Sequence, residues 1–345
     1  MRLISSRWLA ASKVLCLGAL LLACTAAAAS RPRYGGALRV EIRESFDAAD
    51  SPAAQRLLGA LAPSFTLSQW EPGRRAVYTA NEKAAGGRPF LDTVEIQMGR
   101  PTRDQSIDLG LDRADVVQLG PEPLRRDAPG RRLWVSAPVR VVAIAFQPRV
   151  EDARLREALA LAVDRAAIHN VLLQRQGEVS GALLPQWLSG FAFLFPGAAD
   201  LVRARSLLAA VPAAARRLTL AVDDAAWQPV AERIALNARD AGLSVIIVPR
   251  AAADARLVEV RFASSEPARA LADLAAALAL PEPPRAASPE ALYAAESALI
   301  EGFRVIPLFH LPDTYGVSRR VRGGSGISSL GEWRFENLWM EGGRP

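Results

Sequence analysis

The chain has 345 residues, 50% of them hydrophobic and 23% charged, with 42 Lys and Arg against 36 Asp and Glu. That length is ample for a sizeable core and more than one ordinary domain. The only cysteines, Cys16 and Cys24, lie ahead of Arg31, so the folded part has no place for a disulfide, a thiolate metal site or a catalytic thiol.

The opening "MRLISSRWLAASKVLCLGALLLACTAAAAS" has the parts of a secretory signal. Arg2, Arg7 and Lys13 form a positive lead, and Val14 to Ala23 is an apolar core too short to span a bilayer comfortably. Residues 1–29 are therefore read as a signal peptide and the chain as exported. Two processing chemistries stay open at its end. "LLAC", Leu21 to Cys24, resembles a lipobox that would make Cys24 a lipidated N-terminus; cleavage after Ala27 or Ala29 is the alternative. Without the three leader cations the net charge of +6 falls to +3. The arginines are scattered, with no basic block interleaved with aromatics, and no nucleic-acid partner is expected.

Leu38, Val40 and Ile42 alternate with Arg39 and Glu41, the period of a half-buried strand. Ser45 to Ser64 reads as loop with a short helical patch at Leu57, Leu58 and Leu61. "FTLSQW" (Phe65–Trp70) and "RRAVYTA" (Arg74–Ala80) predict a hairpin across "EPG". Strands follow at Phe90–Met98 and Ala114–Gly120. "VRVVAIAFQP", Val139 to Pro148, is apolar throughout, as a strand covered on both faces is.

Asp152 to Gln176 predicts two short helices with a bend, Asp164 capping the second and Gly177 stopping it. Leu218 to Val248 reads as a βαβ unit: Leu218, Leu220 and Val222 alternate, Trp227 to Ala241 follow at helical spacing, Gly242 stops the helix, and "LSVIIV" is a second strand. Pro281–Pro289 is a connecting loop, "EALYAAESALIEGF" a helix, and "RVIPLFH" and "YGVSRRVRG" return to strands.

Catalytic patterns are absent: no HExxH, GxSxG, GxGxxG or GxxxxGK[ST] occurs. His169 and His310 stand alone, as structural histidines do, and Asp223-Asp224 and Glu151-Asp152 read as helix caps. "RGGSG", Arg322 to Gly326, reads as a turn. The chain is expected to be no enzyme, with no cofactor and no metal. In "QWLSGFAFLFPG", Trp187, Phe191, Phe193 and Phe195 crowd a short loop; they either line a ligand cleft or cover a core edge. Trp134 is a weaker candidate of the same kind.

Several segments, in order, resemble the family 5 solute-binding proteins of ABC importers, the peptide- and nickel-binding type. "RYGGALRV" resembles that family's mature start, and Gly87 to Asp92 ends a stretch similar to its GxPxLD motif. "DARLREALALAVDRAAI" resembles its VRxAlxxAIDRxxI helix pair at Arg156, Ala158, Asp164, Arg165 and Ile168. "DLVRARSLLAA" and Leu218–Val248 resemble its next helix and its βαβ unit.

The resemblance implies an α/β, two-lobed, type II periplasmic-binding-protein-like fold with one lobe reduced. It places 30–138 and 262–345 in lobe I and 139–261 in lobe II. Between the first strand and "FTLSQW" the family's long LAxSW and YTFxLR segment is replaced by about twenty residues. The family's W-x-x-D-Y-x-D-P stretch, whose acid pairs with a peptide's amino group, is replaced near Val260–Leu280 by "VRFASSEPARALADLAAAL".

The resemblance implies a monomeric extracytoplasmic binder that captures a small ligand, peptide-like or other, and delivers it to a membrane permease. Its contact with the membrane would run only through a lipid on Cys24. Gln147, Trp187 and Phe191 are the residues expected to line the cleft. The alternative is a non-transporting sensor or interaction lipoprotein on the same fold, with the aromatic loop as its interface.

Overall fold

A computed structural model describes residues 31–120, 132–191, 193–194, 197–262 and 264–341. The leader with Cys24, and Phe195 of the aromatic loop, lie outside the described residues. Leu38 and Val40 alternate inward on strand β1 (Ala37–Glu41). A capped helix α1 (Pro52–Leu58) stands in the expected loop, and β2 (Phe65–Glu71) and β3 (Arg75–Ala80) form the hairpin. β4 (Thr93–Gln97) and β5 (Val116–Leu119) flank β1 in parallel, with α2 (Thr102–Gly110) between them in sequence.

Two long strands come next. β6 (Arg132–Phe146) begins seven residues ahead of the predicted apolar run. Its partner β11 (Val305–Val317) joins the "RVIPLFH" and "YGV" segments, read as separate strands, into one. After β6 come the helices α3 (Ala153–Ala162), α4 (Arg165–Val171), α5 (Gln186–Ser189) and α6 (Leu201–Ala209). Asp164 caps α4, its side chain accepting from the Ala167 N–H at 2.9 Å. The short β7 (Glu178–Val179) pairs with β11.

The βαβ unit is present as β8 (Arg217–Val222), α7 (Gln228–Ala241) and β9 (Ser244–Ile247), the two strands parallel. Val230, Ala231, Ile234, Ala238 and Ala241 bury one face of α7, and Gly242, with φ of 92°, ends it in a conformation that costs other residues strain. Then come β10 (Ala255–Arg261), α8 (Pro267–Ala277), α9 (Pro289–Ile300) and the small pair β12 (Val321–Arg322) with β13 (Trp339–Met340). In β10 Ala255 and Leu257 alternate inward with Arg256.

Among the described residues the strands run β2-β3-β4-β1-β5-β11-β6-β10-β8-β9, a mixed sheet of 11 counting β7. The β6–β11 ribbon is its waist. Near one end β5 joins through Thr314–Val317 of β11, and near the other β10 joins through Arg140–Phe146 of β6. Midway, Pro138 faces Pro312 and the register shifts on both sides of Pro312. Proline has no N–H to donate, so the ladder is weakest there.

One core, with Leu38, Val40, Val94 and Trp333, lies on the β1 side of this waist. Two more cover both faces of the β6–β10 side: Val142, Ile144 and Phe146 point to α3, α6 and α7, while Val141, Ala143 and Ala145 point to α8 and α9. The apolar strand is thus covered on both faces, as its sequence predicts. Phe262, Leu271, Leu274, Leu292 and Leu299, placed by the sequence reading in lobe I, pack with Val139–Ala145 of β6. The reason is local: α8 follows β10 without a crossover and folds back on the face of the sheet that β10 has just built.

Candidate functional site: the cleft at the waist

A cleft of about 1140 Å³ opens beside the ribbon, lined from the β1 side by Glu44, Phe46, Arg56 and Leu57 and from the other by residues of β10, α8 and the turns after β8 and β9. Its polar groups arise from charges placed in apolar strands. Arg140 interrupts "VRVVAIAF", Glu259 and Arg261 interrupt "VEVRF", and Asp313 follows Pro312. Buried charges of this kind persist only when paired.

Arg140 is the centre of that pairing. Its Nε donates to Asp313 Oδ1 at 2.5 Å and its Nη1 to Glu259 Oε1 at 2.6 Å, with Nη2 3.5 Å from Glu44 Oε1. Asp313 also accepts from Arg261 Nε at 2.9 Å, and Glu259 accepts from the Trp227 indole at 2.9 Å. Arg43, after β1, pairs with Asp224, after β8, at 3.2 Å. Residues from both sides of the waist therefore share one charged network.

Burial pulls the Arg140 guanidinium down, but Asp313, Glu259 and Glu44 outweigh it and hold it well above its ordinary value. Burial likewise pushes Asp313 and Glu259 up, yet Arg140, with Arg261 for the first and Arg43 for the second, leaves both below the usual carboxylate range. Gly331 (φ of 76°) is packed against this centre; a Cβ there would stand 2.3 Å from Asp313 Oδ2, so a side chain would wedge the network apart.

The three residues expected to line the cleft are not brought together. Gln147 ends β6, its backbone N–H donating to Asp254 O at 2.8 Å. Phe191 packs edge-on against Tyr293 at 5.2 Å. Trp187 donates its indole N–H to Pro138 O at 2.8 Å and stacks on Phe262 at 6.4 Å, so it stands behind the cleft wall that Phe262 forms. Trp134 is buried in the β1-side core. His169 and His310 each hold a backbone carbonyl, those of Gly177 at 3.1 Å and Leu183 at 3.0 Å.

Glu44, Arg140, Asp223, Arg256 and Glu259 are the cleft residues that the sequence reading missed. For Arg140, Arg256 and Glu259 the available signal was a charge inside an apolar strand, which marks a partner reached from elsewhere in the chain. Among the described residues no three His, Cys, Asp or Glu side chains gather as a metal ion needs, and no helix is long and apolar enough to cross a membrane.

The sequence pattern of the bacterial extracellular solute-binding proteins, family 5 Middle, matches residues 28–271. The chain belongs to this family. It is a family of binding proteins, not of enzymes. Similar in fold to this family 5 protein is a dipeptide-binding protein of a Pseudoalteromonas species, solved with Met-Leu. The TM-score is 0.66 at 15% identity, covering 81% of this chain and 64% of that one. NikA from Staphylococcus aureus, solved with Ni(L-His)2, gives 0.66 at 12%, covering 81% and 68%.

MoaA from A. tumefaciens, solved with mannopinic acid, gives 0.64 at 17%, covering 81% and 66%. At these identities the likeness is one of fold, a two-lobed periplasmic-binding-protein architecture. The family 5 protein described here spans about two thirds of the length of these structures. No curated protein matches it in sequence.

Proposed function

We propose that the chain is the solute-capturing component of an ABC importer, holding a small ligand in the waist cleft and presenting the closed form to a membrane permease. The observation that carries this is the cleft itself: 1140 Å³, within reach of a short peptide or similar solute, set beside a two-strand ribbon weakened at Pro138 and Pro312. The similar structures solved with Met-Leu, Ni(L-His)2 and mannopinic acid support a small solute of that order. The bodies that move would be the β1 side and the β6–β10 side with α8 and α9. Export, ending in a lipidated Cys24 or in cleavage after Ala27 or Ala29, belongs to the same proposal.

Within this reading Trp187 senses the ligand through Phe262. Gln147 and Phe191 would act further from the cleft, at the end of β6 and on the aromatic loop. A second reading, a non-transporting interaction module, is favoured by one feature: Trp187, Phe193 and Tyr293 are all exposed on one surface.

Thermal unfolding with peptides, amino acids, sugars and divalent metals separates the two. A captured solute stabilises by about 2.7 kcal/mol at a hundredfold excess over Kd. A chain that no solute stabilises, and that purifies with a protein bound through the aromatic loop, is the interaction module.

A further inference from the structure

On β10, Arg256, Val258 and Val260 share the strand face that lines the cleft. Arg256 Nη1 is 3.5 Å from Asp223 Oδ2, at the long limit of a hydrogen bond, while its Nε is buried without any partner. The same carboxylate has its Oδ1 4.0 Å from Arg250 Nε. One acid thus stands between two guanidiniums, and this corner keeps an uncompensated positive charge. With Nη1 at the long limit of its bond to Asp223, the Arg256 guanidinium keeps donor capacity for a carboxylate or phosphate oxygen.

The remaining charges of the cleft do not compete for that guanidinium. Glu44 and Glu259 are held by Arg140. Arg56 on α1 and Arg269 on α8 also line the cleft and have no ion-pair partner among the described residues; the acids in the same position are Asp273 and Glu332. A buried donor without an acceptor is costly unless something takes its hydrogen bond, and the guanidinium that carries it lines the cleft.

We propose that the Arg250–Asp223–Arg256 corner is an anion subsite, and that the solute carries a carboxylate or phosphate group that docks on the Arg256 guanidinium. The inference rests on reading the cleft as a solute site. It adds the charge of the solute and the residue that reads it.

The test is thermal shift and calorimetry on the full mature chain at constant ionic strength. The probes are succinate and citrate for carboxylates, inorganic phosphate and glycerol 3-phosphate for phosphates, glucose as a neutral solute and putrescine as a cation. One anionic arm should bind and so name the group, with glucose and putrescine inert. Arg256→Met should weaken that binding at least about tenfold, with Arg256→Lys in between.

Asp223→Asn, by removing the competing carboxylate, should tighten the binding about threefold; a merely structural Asp223 would not. If Arg256→Met does not fold, Arg250→Ala, on an exposed side chain, should still weaken the anion. Unchanged anion binding in the Arg256 and Arg250 variants overturns the proposal. Binding of glucose or putrescine alone overturns it while leaving solute capture standing; a chain that binds none of the six loses this proposal, and the peptide, amino acid and metal arms above decide solute capture.

Discussion

At the scale of single residues, the arginines that carry the family resemblance are structural. Arg156 donates to the carbonyls of Val150, at 2.6 Å, and Gly302, at 2.7 Å, and Arg165, whose pKa burial lowers to about 10, donates to those of Ala160 and Pro307. They tie α3 and α4 to the ends of β6 and β11, so a resemblance built on them speaks of fold and leaves the ligand open. The buried Glu296 is a different case. It accepts from the Leu183 and Leu184 N–H groups at 2.5 and 3.0 Å, but burial outweighs these donors and raises its pKa to about 7.

Between about pH 4.5 and 7 the folded chain therefore binds more protons at this position than the unfolded chain, and stability falls as pH rises across that window. Glu296→Gln keeps an acceptor for both N–H groups and removes the titration. Its unfolding midpoint should lie above the parent's at pH 8 and lose that part of the pH slope. An identical slope in both proteins would mean that Glu296 stays ionised in place.

At the scale of elements, hydrophobic period and caps located β1, the β2–β3 hairpin, the bend at Asp164 and the βαβ unit, because each is set by neighbours in sequence. The joined strand β11 escaped, since Pro312 reads as a break and only pairing with β6 carries the chain through it. The same place gives Trp187 its role. The indole holds the carbonyl of Pro138, opposite a proline that has no N–H to offer, and braces Phe262 from behind.

Trp187→Phe keeps the ring and loses the donor. It should cost about 1 kcal/mol in urea unfolding. The fluorescence difference between parent and variant should change when solute binds. A difference spectrum indifferent to every bound solute would detach Trp187 from the waist.

For the whole molecule, the charged network is the joint between the two sides of the waist, and its carboxylates set its acid limit. Asp313 and Glu259 titrate below their ordinary values, so their contribution is complete above the ordinary carboxylate range, near pH 4, and is lost as pH falls through the depressed folded values. Thermal unfolding should therefore show a steep loss of stability below about pH 4, blunted in Arg140→Met, which is already destabilised at neutral pH because both acids lose their counter-charge. A midpoint that holds level down to pH 3 would show that the network does not join the two sides.

The sequence by itself determined the family, the α/β class and most strands and helices, because all of these are written in local period, capping residues and collinear motifs. The tertiary structure decided the cleft. Glu44, Arg140, Asp223, Arg256, Glu259 and Asp313 come from separate stretches of chain, and nothing in the spacing between them says that they meet. It also decided where α8 and α9 belong, since that depends on which face of the sheet β10 leaves open.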